Sequence, residues 1–159
     1  MDKQAFADRL MACEQTLYRV SCAMLREEAD RRDALQETAL RAFGKRHTLR
    51  DPALFSTWVT RILINECRNI QRRQQRISPV EDVFAVAEEA SANAGPSDLR
   101  RTLDALPERH RLPLLLHYLE GYSLAEIAQI LRIPLGTVKY RLHAARKVLR
   151  VQLEDEEVR

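Results

Sequence analysis

Residues 123–150 contain two short helical patterns separated by a proline, and this arrangement constrains the fold more than any other feature. Ser123 and Glu126 have the spacing of a capping box, in which a hydroxyl and a carboxylate each satisfy a free amide at a helix start. The helix that they open ends before Pro134, which cannot continue the hydrogen-bond ladder. Its residues expected to be buried are Leu124, Ile127, Ala128 and Leu131. A longer basic helix follows, so the segment is predicted to be a helix-turn-helix, whose second helix enters the major groove of DNA.

The second helix of this motif separates an apolar face from a cationic one. At 3.6 residues per turn, the apolar face consists of Val138, Leu142, Ala145 and Leu149. The opposite face and its margin carry Lys139, Tyr140, His143, Ala144, Lys147 and Arg150. No acidic residue occurs in residues 133–150. The first turn also offers free amides and the Thr137 hydroxyl to a phosphate. Arg132 stands near a turn position that often adopts a left-handed backbone and favours glycine.

Helical periodicity also runs through most of residues 3–76. The apolar positions expected to face a core are Phe6, Leu10, Cys13, Leu17, Val20 and Met24 in one helix, and Leu35, Ala39 and Phe43 in the next. Asp51 and Pro52 then predict a helix start, a capping acid followed by proline at the first helical position. This helix is expected to bury Phe55, Val59, Ile62 or Leu63, Cys67 and Ile70. Its outward face is polar and cationic, with Asn65, Arg68, Asn69, Arg72, Arg73 and Arg76.

Charge is distributed unevenly along the 159 residues, although the net charge is only +3. Residues 61–76 contain five arginines and one glutamate, whereas residues 77–98 contain acidic residues and no basic ones. Two basic surfaces separated by an acidic spacer indicate contact with a polyanion. The proline, glycine and alanine content of residues 77–97 predicts a flexible acidic linker. With 6% aromatic and 31% charged residues, the chain is expected to be all-α, with small helical domains at residues 1–76 and 98–159.

The cysteines and histidines show no metal-binding pattern. Cys13, Cys22 and Cys67 lack C-x-x-C spacing, and the four histidines are scattered. We expect the thiols to be buried and reduced. The first ten residues lack the apolar core of a signal peptide, and no apolar run approaches the roughly 20 residues of a membrane span. These patterns predict a cytoplasmic protein with no membrane-inserted segment, metal or cofactor.

Two blocks of the sequence resemble bacterial sigma factors of the sigma-70 family, in their extracytoplasmic-function (ECF) subgroup. The fourth conserved region of that subgroup is similar to LPERHRLPLLLHYLEGYSLAEIAQILRIPLGTVKYRLHAARKVLR. The second region has one helix that docks on core RNA polymerase, similar to RRDALQETALRAF, and one that opens the −10 element, similar to FSTWVTRILINECRNIQRR. The blocks occur in the family's order, with a linker between them. The resemblance therefore implies a protein that directs core polymerase to promoters.

The resemblance implies roles for three groups of residues. Docking on the β′ clamp helices of polymerase would fall to Asp33, Gln36 and Glu37. Recognition and melting of the −10 element would fall to His47, Asn65, Arg68, Asn69, Arg72 and Arg73. Contact with the −35 element would fall to Thr137, Lys139, Tyr140, Arg141, His143 and Lys147. His47 lies in the loop where relatives capture an extruded base, and Trp58 is expected to be mostly core and to support the melting surface.

The resemblance also implies partners. These are core RNA polymerase, through its β′ clamp helices and β flap, promoter DNA, and an anti-sigma factor that covers both polymerase-binding faces. Relatives often carry arginine in place of Ala144 and a small polar residue in place of Tyr140, so their −35 sequence is not carried over. Arg141 and Arg146 lie nearer the buried flank of the helix and are expected to bind phosphates or brace the domain.

Two other functions compete with this interpretation. A stand-alone helix-turn-helix regulator that binds its operator as a dimer would need a dimerisation surface or a ligand pocket, and the sequence shows no sustained heptad or pocket signature. A nucleic-acid enzyme would need a paired acidic motif, a metal cluster, a phosphate loop or an activated nucleophile. None stands out, and four glycines leave little for a phosphate cradle. The sequence therefore favours a sigma factor without enzymatic activity, with the regulator as the alternative.

Overall fold

The computed structural model describes residues 1–77 and 98–158, and side chains for residues 1–76 and 101–150. These residues form α-helices and two short 3-10 turns, Arg46–Thr48 and Pro52–Leu54, with no strand among them. The helices are α1 (Lys3–Ala12), α2 (Glu14–Met24), α3 (Glu28–Gly44), α4 (Phe55–Ile77), α5 (Asp98–Ala105), α6 (Glu108–Tyr118), α7 (Leu124–Leu131) and α8 (Leu135–Val158). The chain divides into two compact units, the first with α1–α4 and the second with α5, α6, α8 and most of α7. The predicted all-α class is confirmed. The predicted linker lies outside the described residues, apart from Ile77 at the end of α4.

The first predicted helix is divided at Cys13 into α1 and α2. The Cys13 amide is shared between the carbonyls of Arg9 and Leu10, at 3.2 and 3.1 Å. Such a shared bond tightens the last turn of a helix, so the 3.6-residue phase does not continue unchanged through this point. The predicted core positions that are buried are Phe6, Leu17, Val20 and Met24. Leu10 and Cys13, which flank the break, are only half-buried.

α3 is rotated by one residue from its predicted orientation. Its fully buried positions are Ala34, Thr38 and Ala42, whereas the predicted core residues Leu35, Ala39 and Phe43 are half-buried. The Thr38 hydroxyl donates to the Ala34 carbonyl at 2.6 Å, so its burial leaves no unsatisfied donor. α3 packs chiefly on α4. Small side chains at four-residue spacing are compatible with a close approach of the two helices. The predicted row contained two large residues, Leu35 and Phe43, as well as Ala39.

Asp51 caps a helical start at Pro52 as predicted, but the first three residues form a 3-10 turn and α4 itself begins at Phe55. The Asp51 carboxylate accepts from the Ala53 amide at 3.0 Å, and the 3-10 turn from Pro52 leads into the regular helix. The predicted core residues Phe55, Val59, Cys67 and Ile70 are buried, and of the two alternatives Leu63 is buried while Ile62 is half-buried. The prediction missed further buried positions on this helix, namely Thr57, Thr60, Ile64 and Glu66.

Aromatic rings connect the helices of the first unit. The Phe6 ring meets the rings of Phe43 and Phe55 edge-on, with centroids 5.5 and 5.7 Å apart. The Phe55 ring also lies 5.7 Å from the Trp58 ring. Trp58, expected to be mostly core, is only half-buried, because it lies on the edge of the buried face of α4 rather than at its centre.

A buried arginine, which the sequence analysis did not identify, connects α5 and α6 in the second unit. Arg111 is buried, and its Nη1 donates to the carbonyls of Asp104 and Leu106 at 3.2 and 2.8 Å. The last carbonyls of a helix have no intrahelical partner. Arg111 therefore satisfies carbonyls at the end of α5 from a position within α6.

The helix-turn-helix forms with its predicted caps. The Ser123 amide donates to Glu126 Oε1 at 2.9 Å, and the Glu126 amide donates to Ser123 Oγ at 3.1 Å. At the other end of α7, Arg132 adopts a left-handed conformation with φ 56°, and the Ile133 amide donates to the Ala128 carbonyl at 3.1 Å. This six-to-one bond is the closure of a Schellman motif.

The burial of α7 differs in part from its predicted pattern. Ile127 and Leu131 are buried as predicted, but Leu124 and Ala128 are half-buried, and the prediction missed buried Ile130. α8 starts at Leu135, directly after the proline that separates the two predicted helices.

Candidate nucleic-acid and protein interfaces

α8 presents the two faces that the sequence predicted. Val138, Leu142 and Ala145 are fully buried, and Leu149 is half-buried. The exposed residues of the opposite face and its margin are Lys139, Tyr140, His143, Lys147 and Arg150, with half-buried Ala144 beside them. Tyr140 is 70% exposed, so the protein's own core does not use this large aromatic side chain. The combination of cations, an aromatic ring and no carboxylate suits a polyanion that also carries ring systems.

At the flank of this face, some side chains are partly buried or contact other residues of the second unit. Thr137 and Arg141 are half-buried. Arg146 donates from Nε to the Leu142 carbonyl at 3.3 Å, and its guanidinium carbon lies 5.9 Å from the centre of the Tyr118 ring. Of the two roles predicted for Arg146, phosphate binding and bracing of the domain, these contacts concern only the second.

A histidine beside this flank was missed by the sequence analysis. Burial lowers the pKa of His110, and the positive charges of Arg109 and Arg141 lower it further. Both effects favour the neutral form of the imidazole over the charged one.

The candidate melting helix carries an aromatic residue, two amides and one arginine in a single stripe, with further arginines beside it. On α4, the spacing of three and four residues aligns Trp58, Ile62, Asn65, Asn69 and Arg72. Arg72, Arg73 and Arg76 are exposed as predicted, but Asn65, Arg68 and Asn69 are half-buried rather than fully outward. These three residues are next to the buried row of α4, so part of each side chain is covered by the protein. The Arg72 guanidinium donates to the Asn69 side-chain oxygen.

The loop before α4 exposes His47. Its neighbour Arg46 stacks on the Phe43 ring, 4.0 Å from the centroid, and donates to the Phe43 carbonyl at 2.8 Å. The Thr48 hydroxyl donates to the Lys45 carbonyl at 2.7 Å. Local bonds thus hold the residues on both sides, and the His47 side chain is exposed between them.

The predicted docking stripe on α3 contains an apolar residue that the sequence analysis missed. Asp33 and Gln36 are exposed, and Leu40, one turn after Gln36, is 68% exposed. Leu40 lies outside the buried row of α3. Its exposure follows once that row is known, and the predicted orientation of α3 was off by one residue. An apolar centre with a polar rim is typical of protein interfaces.

Glu37, the third residue of that stripe, is engaged within the protein. Arg41 Nε lies 3.1 Å from Glu37 Oε1 and 2.8 Å from Glu66 Oε1 on α4. The Glu66 side chain is only 10% exposed, whereas those of Glu37 and Arg41 are about half exposed. Arg41 therefore connects the docking stripe to a buried carboxylate of α4.

The three thiols are free but only Cys67 is buried, which corrects the expectation for Cys13 and Cys22. Burial raises the pKa of the Cys13 thiol, opposed by a hydrogen bond with Ser56 and by the charge of Arg9. Within residues 1–77 and 98–158, no group of three or more His, Cys, Asp and Glu residues has an arrangement that would hold a metal. No helix in those ranges has both the length and the apolar composition of a membrane span.

Solved structures of two proteins share this fold. The sigma factor RpoE, crystallised with the anti-sigma factor NepR from Bartonella quintana, has a TM-score of 0.77 and 23% identity, covering 94% of this chain and 96% of that one. CnrH, in complex with the cytosolic domain of CnrY, has a TM-score of 0.71 and 22% identity, covering 97% of this chain and 90% of that one. At these identities the likeness shows the fold alone.

The sequence matches the models of two conserved regions and several curated relatives. Residues 10–77 match Sigma-70 region 2, and residues 97–149 match Sigma-70, region 4. The RNA polymerase sigma factor SigV of Bacillus subtilis is 29% identical over 162 residues, which cover 98% of each chain. The ECF RNA polymerase sigma factor SigM of Mycobacterium tuberculosis is 32% identical over 147 residues, which cover 91% of this chain and 75% of that one. The chain therefore belongs to the ECF RNA polymerase sigma factors of the sigma-70 family.

Proposed function

We propose that this sigma factor selects promoters through one DNA-binding surface in each domain, residues 1–76 for the −10 element and residues 98–159 for the −35 element. The observation that carries the proposal is α8, where fully buried Val138 and Leu142 fix an opposite face of exposed cations and one exposed tyrosine. That geometry matches the recognition helix of a helix-turn-helix. The protein acts as a specificity subunit in the cytoplasm and catalyses no reaction itself.

The −35 surface divides into residues that read bases and residues that hold the backbone. Lys139 donates to a guanine edge, and Tyr140 and His143 contact base edges or a thymine methyl group. Thr137, Arg141 and Lys147 contact phosphates, which position the helix without specifying sequence. The support is their placement: the three readers are exposed on one face, and Thr137 and Arg141 lie half-buried at its flank.

The −10 surface uses the stripe on α4. Opening a promoter requires a surface that holds single-stranded DNA, with cations for the backbone and rings or amides for unstacked bases. Arg68, Arg72 and Arg73 supply the cations, and Asn65 and Asn69 supply hydrogen-bonding amides. His47 stacks on an extruded base of the non-template strand. This assignment is supported by the exposed side chains of His47, Arg72 and Arg73 and by the alignment of Asn65, Asn69 and Arg72 on α4.

Protein partners use other surfaces. Asp33, Gln36 and Glu37, with Leu40 beside them, dock on the β′ clamp helices of core polymerase, while the β flap provides a second contact. An anti-sigma factor covers the polymerase-binding faces until its signal arrives. Support for this regulation comes from RpoE and CnrH, two proteins of the same fold whose structures contain NepR and CnrY.

Run-off transcription on the DNA upstream of the protein's own gene tests the proposal, because many relatives transcribe their own genes. Core polymerase with the purified chain is expected to produce a defined transcript, and core polymerase alone is expected to produce none. The isolated chain is expected to bind duplex DNA weakly and with a steep salt dependence, since phosphate neutralisation is its main source of affinity. Nanomolar, sequence-specific binding by the isolated chain at physiological salt would instead identify a stand-alone regulator.

Lys139→Ala and Lys147→Ala are expected to have different effects on promoter choice. Loss of Lys139 removes a base contact worth about 1–3 kcal/mol, so transcription falls and preference relaxes at one −35 position. Loss of Lys147 removes a phosphate contact, so binding weakens about equally on all sequences and the salt slope decreases by about one unit. The measurement is transcription on a randomised −35 library with the −10 element constant. An unchanged −35 preference after Lys139→Ala would contradict the assigned orientation of α8.

Asp33→Arg combined with Gln36→Ala is expected to weaken assembly with core polymerase, because it reverses a charge and removes an amide on the exposed stripe of α3. Helical content is expected to be unchanged, since neither side chain is buried. The measurement is co-elution with core polymerase in size-exclusion chromatography, together with circular dichroism. Asp8→Arg on α1 is the control for charge alone, because Asp8 is also exposed. Equal co-elution of the double variant and this control would remove the α3 stripe from the interface.

A further inference from the structure

The glycines of the described residues differ in whether the protein's own structure requires glycine at that position. Gly121 has a φ of +75°, a conformation that other residues adopt at a cost. Gly136, in the first turn of α8, has no positive φ, and a β-carbon added there would meet no atom within 4 Å. Glycine is a weaker helix former than alanine. Neither backbone conformation nor packing within the protein therefore accounts for glycine at position 136.

Gly136 lies on the same side of α8 as the proposed base readers. It precedes Lys139 by three residues and Tyr140 by four, so all three share one helix face. Gly136 is itself exposed. The smallest residue of this face, Gly136, therefore lies one turn before its largest, Tyr140. Gly136 is at the N-terminal end of α8, the end that contacts base edges in helix-turn-helix proteins.

We infer that Gly136 is the point of closest approach between α8 and the promoter duplex, and that the DNA, not the fold, requires the missing side chain. The inference rests on the proposed function, because it adds a steric requirement to the −35 surface. A side chain at position 136 would meet the wall of the major groove and hold the helix away from it. Hydrogen bonds weaken beyond about 3.2 Å between heavy atoms, so a small outward displacement of α8 removes the base contact of Lys139.

The test uses two variants of increasing size, Gly136→Ala and Gly136→Leu, in the full-length chain assembled with core polymerase. The readout is the ratio of transcription from the cognate promoter to transcription from the same promoter with a scrambled −35 element. We expect this ratio to fall about tenfold for alanine, comparable to the loss of one base contact, and further for leucine. The thermal midpoint of both variants is expected to equal or exceed that of the parent, because alanine and leucine are better helix formers.

Gly44→Ala is the matched control. Gly44 lies at the end of α3 in the first unit, and it too has no positive φ and open space at its β-carbon. This variant is expected to leave the −35 ratio unchanged. A Gly136→Leu variant with the parental ratio overturns the inference, as does one with a lowered thermal midpoint, because the glycine would then serve the fold.

The Lys139→Ala variant separates failure of this inference from failure of the proposed function. If Lys139→Ala lowers the −35 ratio and Gly136→Leu does not, the −35 surface is correct and the steric requirement is wrong. If neither substitution changes the ratio, the −35 surface itself is wrong, and the inference falls with it.

Discussion

Leu142→Ala is expected to lower the free energy of unfolding of the second unit by about 2–5 kcal/mol, the usual cost of emptying a fully buried leucine site. Leu142 is fully buried, in the same row as Val138 and Ala145. Proteins have a net stability of only roughly 0.05–0.15 kcal/mol per residue, so a small helical unit has little reserve. The variant is therefore expected to have a partly unfolded second unit near physiological temperature and to lose −35-dependent transcription.

Urea denaturation of the full-length chain, followed by hydrogen exchange at the α8 amides, would measure this loss. Lys147→Ala is the matched control, because Lys147 is exposed on the same helix and surface changes typically alter stability by less than about 0.5 kcal/mol. If the two variants protected the α8 amides equally, the packing described for α8 would be wrong.

Arg41→Ala is expected to destabilise the first unit by about 1–3 kcal/mol. Arg41 Nε lies 2.8 Å from a Glu66 carboxylate oxygen, and the Glu66 side chain is buried between α3 and α4. Breaking a fully buried pair costs about 3–5 kcal/mol, because it leaves a buried charge uncompensated. A smaller value is expected here because the Arg41 side chain is half exposed, and water screens the pair.

A second substitution tests whether the loss of stability arises from the Glu66 carboxylate that is left unpaired. Glu66→Gln in the Arg41→Ala background is expected to recover part of the lost stability, because it removes the unpaired carboxylate. Glu37→Ala is the control, since Glu37 is the more exposed partner of Arg41, and it is expected to cost about 0.5 kcal/mol or less. Strict additivity of Arg41→Ala and Glu66→Gln in denaturation experiments would show that the two side chains do not interact.

Features set by neighbouring residues in the chain were predictable. The capping box of Ser123 and Glu126 and the Asp51 cap of the turn that leads into α4 formed as predicted, because each depends on a few adjacent residues. The left-handed conformation of Arg132 agrees with its place near the turn position that often adopts it in helix-turn-helix motifs. The buried face of α8 followed from periodicity, since Val138, Leu142 and Ala145 recur at helical spacing while cations occupy most of the opposite face.

Features set by packing between helices were not predictable from the same rules. In α3 apolar residues occupy more than one side, so the buried row Ala34, Thr38 and Ala42 becomes evident only with α4 in place. The interaction of Arg41 with Glu66 and the burial of Arg111 have the same origin. The residues proposed to read the −35 element were located on one face of α8, and their roles remain predictions. Nothing in the sequence singled out Gly136. Its interest arises from the open space at the position of a β-carbon, which only the structure shows.

The alternation along α8 gives this protein separate positions for keeping its shape and for choosing its promoters. Val138 and Leu142 are fully buried, while Lys139, Tyr140 and His143 between and beside them are exposed. Under the proposed function, changes at the exposed positions alter promoter choice without disturbing the core. Promoter preference can therefore diverge among descendants of one ancestral chain while the scaffold persists. The same separation makes α8 a place to retarget transcription by exchanging outward side chains alone.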